Sequence, residues 1–218
     1  MNTPLIIYGA GGLGRELLSL VRALKDFEVI GFVDDVLPLN TVVKGIKVLG
    51  GIEYLNALKS ETNVVLAFGD PSVKSRKASQ ITNKHVNYPV LIHPTVVLQD
   101  RDSIRLGKGS VLCAGAVLTT DITIGDQVLV NLNVTIGHDS RIANYVSLMP
   151  GVNIAGEVII GEEVMIGAGS SILNKVTIGD RSKVGMGSVV IRDVECQSMV
   201  AGVPAKPILT KSEPRLQT

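Results

Sequence analysis

The 218 residues contain only three histidines, and one of them is placed for proton transfer. His138 stands in Ile136-Gly137-His138-Asp139, two residues past an aliphatic position that the surrounding repeat turns inward. Its ring is therefore expected to point outward near a corner of the chain. An imidazole with an ordinary pKa of about 6.5 can accept a proton from an attacking amine or hydroxyl near neutral pH. Asp139 follows directly, and its carboxylate can orient the ring and stabilise the charged form if the corner turns the two side chains together. His85 lies in the polar stretch Thr82-Asn83-Lys84-His85 and reads as a solvated residue at a helix end. His93 precedes Pro94 where the repeat begins, and capping or packing at that junction accounts for it.

A second constellation lies near the N-terminus. Gly9-Ala10-Gly11-Gly12-Leu13-Gly14 follows the apolar run Leu5-Ile6-Ile7-Tyr8, and Asp34 comes twenty residues after Gly14. A tight glycine turn brings helix-end amides close to a phosphate, and an acid at that distance can accept from ribose hydroxyls. NAD and a nucleotide sugar both offer a diphosphate and a ribose to such a cradle. The unit is only about ninety residues long, half of a dinucleotide fold, and nothing downstream resembles a hydride-transfer site. A nucleotide sugar is the better match.

The elements that must carry these groups are legible from periodicity. Leu5–Tyr8 reads as a buried strand, and Arg15–Lys25 as a helix with Leu17, Leu18, Val21 and Leu24 on one face. Val29–Val33 is a second strand ending at Asp34-Asp35, residues 52–59 a short helix, and Val64–Phe68 a third strand. Pro71 to about Lys84 is a further helix, with proline suited to its first turn. Alternation of this kind indicates a small Rossmann-like α/β domain. Tyr88–His93 then leads into a different texture.

From Leu106 to about Glu195 the period is six. Every sixth residue from Leu106 to Val190 is branched and aliphatic, and the positions four places later, Ser110 to Val194, are all small or branched. A period of six cannot hold one face of a 3.6-residue spiral. The units are short strands and turns that must stack to bury an apolar side, which is a parallel β-helix of fifteen hexapeptides. Glycine follows the aliphatic position at Gly107, Gly125, Gly137, Gly161, Gly167, Gly179 and Gly185, where it is expected to permit corner backbone angles.

Composition agrees. Aromatic residues make up 3% of the chain, as a slender solenoid requires. A formal charge of +1 without basic blocks argues against nucleic acid. No run approaches a membrane span, no secretory leader is evident, and Cys113 and Cys196 have no metal-site spacing. A reduced, cytoplasmic protein is expected, with Cys113 a buried thiol rather than an acyl carrier.

The glycine turn, Asp34-Asp35, His93-Pro94, the hexapeptides and the closing Ala201-Gly202-Val203-Pro204-Ala205-Lys206 resemble the sialic-acid O-acetyltransferase and bacillosamine N-acetyltransferase family of hexapeptide-repeat acyltransferases. The resemblance implies a small Rossmann-like sugar-nucleotide-binding domain over 1–90, a left-handed parallel β-helix with a C-terminal cap over 91–210, and a flexible tail over 211–218. It implies three hexapeptides per coil, hence five coils, a homotrimer, and acetyl-CoA as co-substrate with no metal. His138 matches the family's catalytic histidine, Asp139 its following acid, and Asn131 an asparagine common in relatives, whose amide there could bind the sugar or help to place the attacking group. Gly12, Leu13, Gly14, Asp34, Asp35 and Gly51 would line the sugar-nucleotide pocket, although many relatives have histidine in place of Leu13. Ser147 stands where bacillosamine-type relatives have a second, coenzyme-contacting histidine. Gly156 leaves space beside the base, Ala168 and Met186 match coenzyme-contacting positions, and Lys206 is available to phosphate.

The expected activity is acetyl-CoA-dependent N-acetylation of a nucleotide-activated amino-sugar in glycan or surface-polysaccharide synthesis. O-acetylation of a sialic-acid-type sugar shares every motif, and a non-catalytic scaffold shares the repeat. A metal centre of the γ-carbonic-anhydrase kind needs several histidines, whereas the repeat holds only His138.

Overall fold

The computed structural model describes residues 2–208, so the tail expected over 211–218 lies outside the described residues. The chain begins with β1 (Thr3–Tyr8), α1 (Gly12–Ala23) and β2 (Phe27–Val33), followed by a small antiparallel hairpin of β3 (Val42–Val43) and β4 (Ile46–Lys47). Then come α2 (Ile52–Asn56), β5 (Thr62–Leu66), α3 (Pro71–Gln80) and β6 (Val86–Asn87). The four longer-range strands form one parallel sheet in the order β2-β1-β5-β6. Leu5, Ile6, Ile7 and Tyr8 are completely buried because β1 is central and covered on both faces.

Several boundaries differ from the sequence reading, two of them for a visible reason. α1 starts at Gly12 rather than Arg15, because the glycine turn runs straight into the helix without a side-chain cap. α3 stops at Gln80 rather than Lys84. There Ile81 turns extended, and the Asn83 amide donates to the carbonyls of Leu55 and Leu58, tying the chain into a turn. The chain then adds β6 to the sheet before it leaves, a strand too short to show any periodicity.

The rest is a parallel β-helix of two-residue strands on three faces, the left-handed hexapeptide architecture that the family resemblance implied. The first face starts with β7 (Leu91–Ile92), the second with β8 (Val97–Leu98) and the third with β9 (Arg105–Leu106). Each strand pairs with the one eighteen residues on, as Thr135-Ile136 does with Asn153-Ile154. From Leu112 to Val190, every sixth residue is at most 3% exposed, so the aliphatic series is the interior. The solenoid thus begins two strands earlier than the period shows. Ile92 and Leu98 are in phase, but a 3-10 turn at Arg101–Ser103 lengthens the next step to eight residues and breaks the count before Leu106.

The glycines that follow the aliphatic series have a different reason from the one expected. None of the seven has a positive φ. A Cβ on Gly107 would lie 2.3 Å from the carbonyl carbon of Gly125, and one on Gly137 would lie 2.7 Å from that of Ala155. The next coil is simply too close. Left-handed angles fall two residues later, at Gln127, Asn133, Asp139, Tyr145, Glu157 and their equivalents.

The second inward series contains serines whose hydroxyls donate across the coil, Ser110 to the Gly125 carbonyl and Ser170 to that of Gly185. The Ser182 hydroxyl is buried with no partner among the described residues. An unpaired buried hydroxyl costs about 1–3 kcal/mol, and alanine removes it with little change in volume. Ser182→Ala is therefore expected to leave the thermal midpoint equal to or above that of the wild type, a result opposite to the usual core truncation.

The two parts share one core. Leu91, Val111, Cys113 and Leu129, on or beside the first face, pack against Leu17, Leu20 and the sheet residues behind them. Cys113 is buried, as expected, but beneath α1 rather than inside the coil. Burial, reinforced by the Glu16 charge, pushes its thiol up to about 12, so it is not a nucleophile near neutral pH.

Candidate functional site

His138 sits at the corner between the second and third faces, in the turn that joins Thr135-Ile136 to Arg141-Ile142. Asp139 takes the left-handed position of that turn, φ 59°, and this brings its Oδ2 to 2.8 Å from His138 Nδ1. An ionised carboxylate can only accept, so Nδ1 carries the hydrogen and the Nε2 lone pair is free. Nε2 points at the next coil, where a Cβ on Gly156 would stand 2.4 Å from it. The arrangement is a base held in one tautomer with its reactive nitrogen facing an open place. The His138 and Asp139 side chains are 57% and 59% exposed, so the single chain leaves the pair in water.

The atoms nearest an added methyl at 156 all belong to the half-exposed His138 ring, so the fold should absorb it while the base cannot keep its place. Gly156→Ala is expected to retain the wild-type thermal midpoint and to lower kcat about ten- to a hundredfold. Parallel melting and steady-state measurements on the purified variant check both halves.

Asn131 lies at the preceding corner, between the first and second faces, and is 5% exposed. Its Oδ1 accepts from the Leu132 amide, and it borders a small interdomain pocket with Glu16, Ser19, Cys113 and His93. Ala168 and Met186 stand on that same corner, one and two repeats of eighteen residues above Pro150. Met186 is 78% exposed. Within one chain these positions are not brought to His138. Lys206 is exposed on the hairpin of Met199–Gly202 and Ala205–Pro207, which extends the first face.

Ser147 is a correction. It is completely buried on the first face, and its hydroxyl accepts from the Lys74 ammonium of α3. Its side chain cannot touch a coenzyme there, because the α/β domain covers it.

The N-terminal residues divide into two groups. Asp34, Asp35 and Gly51 border a cleft of about 630 Å³ together with Gly50, Lys77 and Gln80. The amides of Gly12, Leu13 and Gly14 open α1 without an acceptor among the described residues, and nothing lies within 4 Å of a Cβ built on Gly11 or Gly12. Free amides at a helix start with open space before them suit a phosphate. The Leu13 side chain instead packs against the domain core. Gly14 is a packing position, since a Cβ there would lie 1.9 Å from the Gly9 carbonyl oxygen.

The two acids are more heavily engaged than a ribose acceptor would be. Asp34 Oδ2 accepts from the Ala10 amide at 2.8 Å, and Oδ1 from those of Val36 and Leu37 at 3.0 Å each. Partial burial opposes its charge, but these three donors outweigh it and hold the carboxyl below its usual range. Asp35 receives the Tyr8 hydroxyl at 2.7 Å, Lys77 at 2.6 Å and the Ile52 amide at 2.8 Å. It too lies low, burial being outweighed by Lys77, Tyr8 and Ile52. Tyr8 and Lys77 had no signal in the sequence, since one is the last residue of an apolar strand and the other a basic residue on a helix face. Among the described residues, no group of three or more histidine, cysteine or acidic side chains could hold a metal, and no helix is long and apolar enough to cross a membrane.

Comparison with known proteins places both halves. Residues 4–81 match the PglD N-terminal domain, residues 139–174 and 157–192 the bacterial transferase hexapeptide (six repeats), and residues 97–120 the hexapeptide repeat of succinyl-transferase. The chain is 31% identical over 160 residues to the GDP-perosamine N-acetyltransferase of Escherichia coli O157:H7, covering 70% of each. The acetyltransferase domain of PglB from Neisseria gonorrhoeae FA1090, in complex with acetyl coenzyme A, superposes with a TM-score of 0.87 at 32% identity, over 95% of this chain and 100% of that one. PerB from Caulobacter crescentus, in complex with CoA and GDP-perosamine, gives a TM-score of 0.86 at 30% identity, over 94% and 97%.

Proposed function

Because the chain belongs to the hexapeptide-repeat acyltransferases related to the GDP-perosamine and PglB N-acetyltransferases, we propose that it moves the acetyl group of acetyl-CoA onto the amine of a nucleotide-activated amino-sugar. The observation that carries this reading is the His138–Asp139 pair, with Nε2 free beneath Gly156. The sugar amine attacks the thioester carbonyl while His138 Nε2 takes the proton that the nitrogen must lose. Asp139 holds the ring and offsets the imidazolium charge. The tetrahedral intermediate then expels the coenzyme sulfur, to which His138 returns the proton, leaving an amide and free CoA. The glycine turn and the Asp35–Lys77 cleft hold the nucleotide. Amine transfer is favoured over hydroxyl transfer because the Escherichia coli O157:H7 relative is a GDP-perosamine N-acetyltransferase and a similar Caulobacter crescentus structure is of a perosamine N-acetyltransferase.

The test is direct. The purified chain is incubated with acetyl-CoA and UDP-, GDP-, dTDP- and CMP-linked amino-sugars, and thiol release is followed beside the mass of the sugar. One nucleotide sugar should gain one acetyl group in step with thiol. Thiol release from none of them, by a protein shown to bind acetyl-CoA, would overturn the reading.

The active form is expected to be a trimer. The His138 pair is more than half exposed, the positions expected to contact the coenzyme lie on another corner, and Leu132, Met186, Val97, Leu173 and Ile191 expose apolar side chains on and around the second face. A neighbouring solenoid against that face would cover them and complete the site, with cyclic symmetry repeating it. Light scattering should give about three times the 23.1 kDa chain mass. A fully active monomer at assay concentration would rule the shared site out.

A further inference from the structure

Lys74 is a buried cation that the chemistry above does not use. It is 3% exposed, and its side chain crosses from α3 to the first face of the solenoid. There its ammonium donates to the Gln127 carbonyl at 2.9 Å and to the Ser147 hydroxyl at 3.3 Å. No acid pairs with it among the described residues. The ion pairs of α3 and its cap are made elsewhere, by Asp70 with Lys183 at 3.4 Å and by Lys77 with Asp35 at 2.6 Å. Burial lowers its pKa to about 7, as befits an ammonium held without a counter-ion.

Adhesion does not explain such a residue. A charge taken out of water without a partner is costly, and an apolar side chain of similar volume would hold two surfaces together at least as well. What an ammonium adds is direction, because it fixes the height at which one surface meets the other. Its two acceptors lie on the first face, on successive coils, and the chain segment that joins them carries His138 on the far corner. Gln127 precedes Leu129-Val130, that strand pairs with Ser147-Leu148 one coil above, and His138 lies on the chain between them. The same helix reaches the nucleotide cleft through Lys77 and Asp35.

We propose that Lys74 is a positioning residue, which sets the register of α3 on the solenoid and with it the reach from the nucleotide cleft to the acetyl-transfer corner. The inference rests on the acetyltransferase reading in the second half only, since the register itself can be tested without any substrate. Interactions remote from the reacting atoms matter at this level, because a displacement of about 1 Å can cost about a hundredfold in rate.

Lys74→Met keeps the length and packing of the side chain and removes its charge and donors. The variant should fold, with oligomeric state unchanged and a thermal midpoint near the wild type's, since relief of the buried charge is opposed by the loss of a donor to the Ser147 hydroxyl and the Gln127 carbonyl. Its KM for acetyl-CoA should stay within about twofold, while kcat/KM for the nucleotide sugar falls about tenfold or more. GDP-perosamine is the first probe, followed by whichever nucleotide sugar the wild type accepts. Amide exchange over residues 71–80 should quicken about threefold or more. Ser147→Ala, which keeps the lysine and its Gln127 contact, should shift both readings the same way by less.

A Lys74→Met protein with nucleotide-sugar kcat/KM and exchange both within twofold of wild type overturns the proposal. So does a lowered melting point with equal loss towards both substrates, which is the mark of plain structural support. If Lys74→Met does not fold, Ser147→Ala decides, and no change in its nucleotide-sugar kcat/KM counts against the proposal. If the wild type acetylates no nucleotide sugar, the functional reading falls by itself, and unchanged α3 exchange in the variants would remove the register as well.

Discussion

His138→Ala should fold, assemble and bind both substrates as the wild type does, and should lose about 10²–10⁴-fold in kcat, the usual contribution of a general base. The side chain is more than half exposed and, among the described residues, hydrogen-bonds only to Asp139, so no core volume is lost. Steady-state kinetics on the accepted nucleotide sugar, beside calorimetric binding of acetyl-CoA, separates the base from the binding sites. A variant within threefold of wild-type kcat, under conditions where acetyl transfer limits the rate, would take His138 out of the mechanism. Asp139→Asn is the informative companion. Asp139 occupies a left-handed backbone position, φ 59°, which asparagine tolerates better than most residues. That substitution therefore changes the charge on the ring without straining the corner. Its kcat should fall by less than that of His138→Ala, because the imidazole remains but loses its fixed tautomer and the carboxylate that offsets its positive charge.

The period of six was enough to specify the solenoid, because the inward positions tolerate only side chains that fill a narrow interior. His138 could be placed at a corner for the same reason: a residue two places past Ile136 must lie in the turn. The sequence could not show the 3-10 turn at Arg101–Ser103, which hides the first two strands of the solenoid by lengthening a single step. Nor could it distinguish the two jobs of glycine, since a close approach to the next coil and a left-handed angle both read as Gly. The docking of the α/β domain was beyond its reach too. Ser147 looks like a free surface residue in a repeat, and only the arrival of α3, with Lys74, shows that it is covered. Contacts between distant segments leave no periodic trace, so the cleft partners Tyr8, Lys77 and Asp35 also had to be seen in three dimensions.

Asp34, whose spacing suggested a ribose acceptor, is bonded within the chain in a way that holds the glycine turn in shape. Its carboxylate ties the Ala10 amide, in the glycine turn after β1, to the Val36 and Leu37 amides after β2. Ala10 is 3% exposed, so water cannot fully replace the acceptor there, whereas the other two amides are more open. Asp34→Ala is accordingly expected to cost about 2–3 kcal/mol of stability, and to weaken nucleotide-sugar binding because the turn loosens. The sign of the pH dependence follows from the lowered carboxyl pKa. A depressed acid contributes stability that is fully present above its ordinary value of 3.8 and is lost as pH falls through the lower value of the folded state. Asp34→Asn cannot titrate, so its deficit relative to wild type should be largest near pH 7 and should shrink as the pH is taken down to about 3. Urea unfolding of the two proteins at both pH values measures this. A deficit of the same size at both would mean that the charge of Asp34 does not hold the turn. Normal stability with a raised KM alone would return the residue to the role of a ribose acceptor.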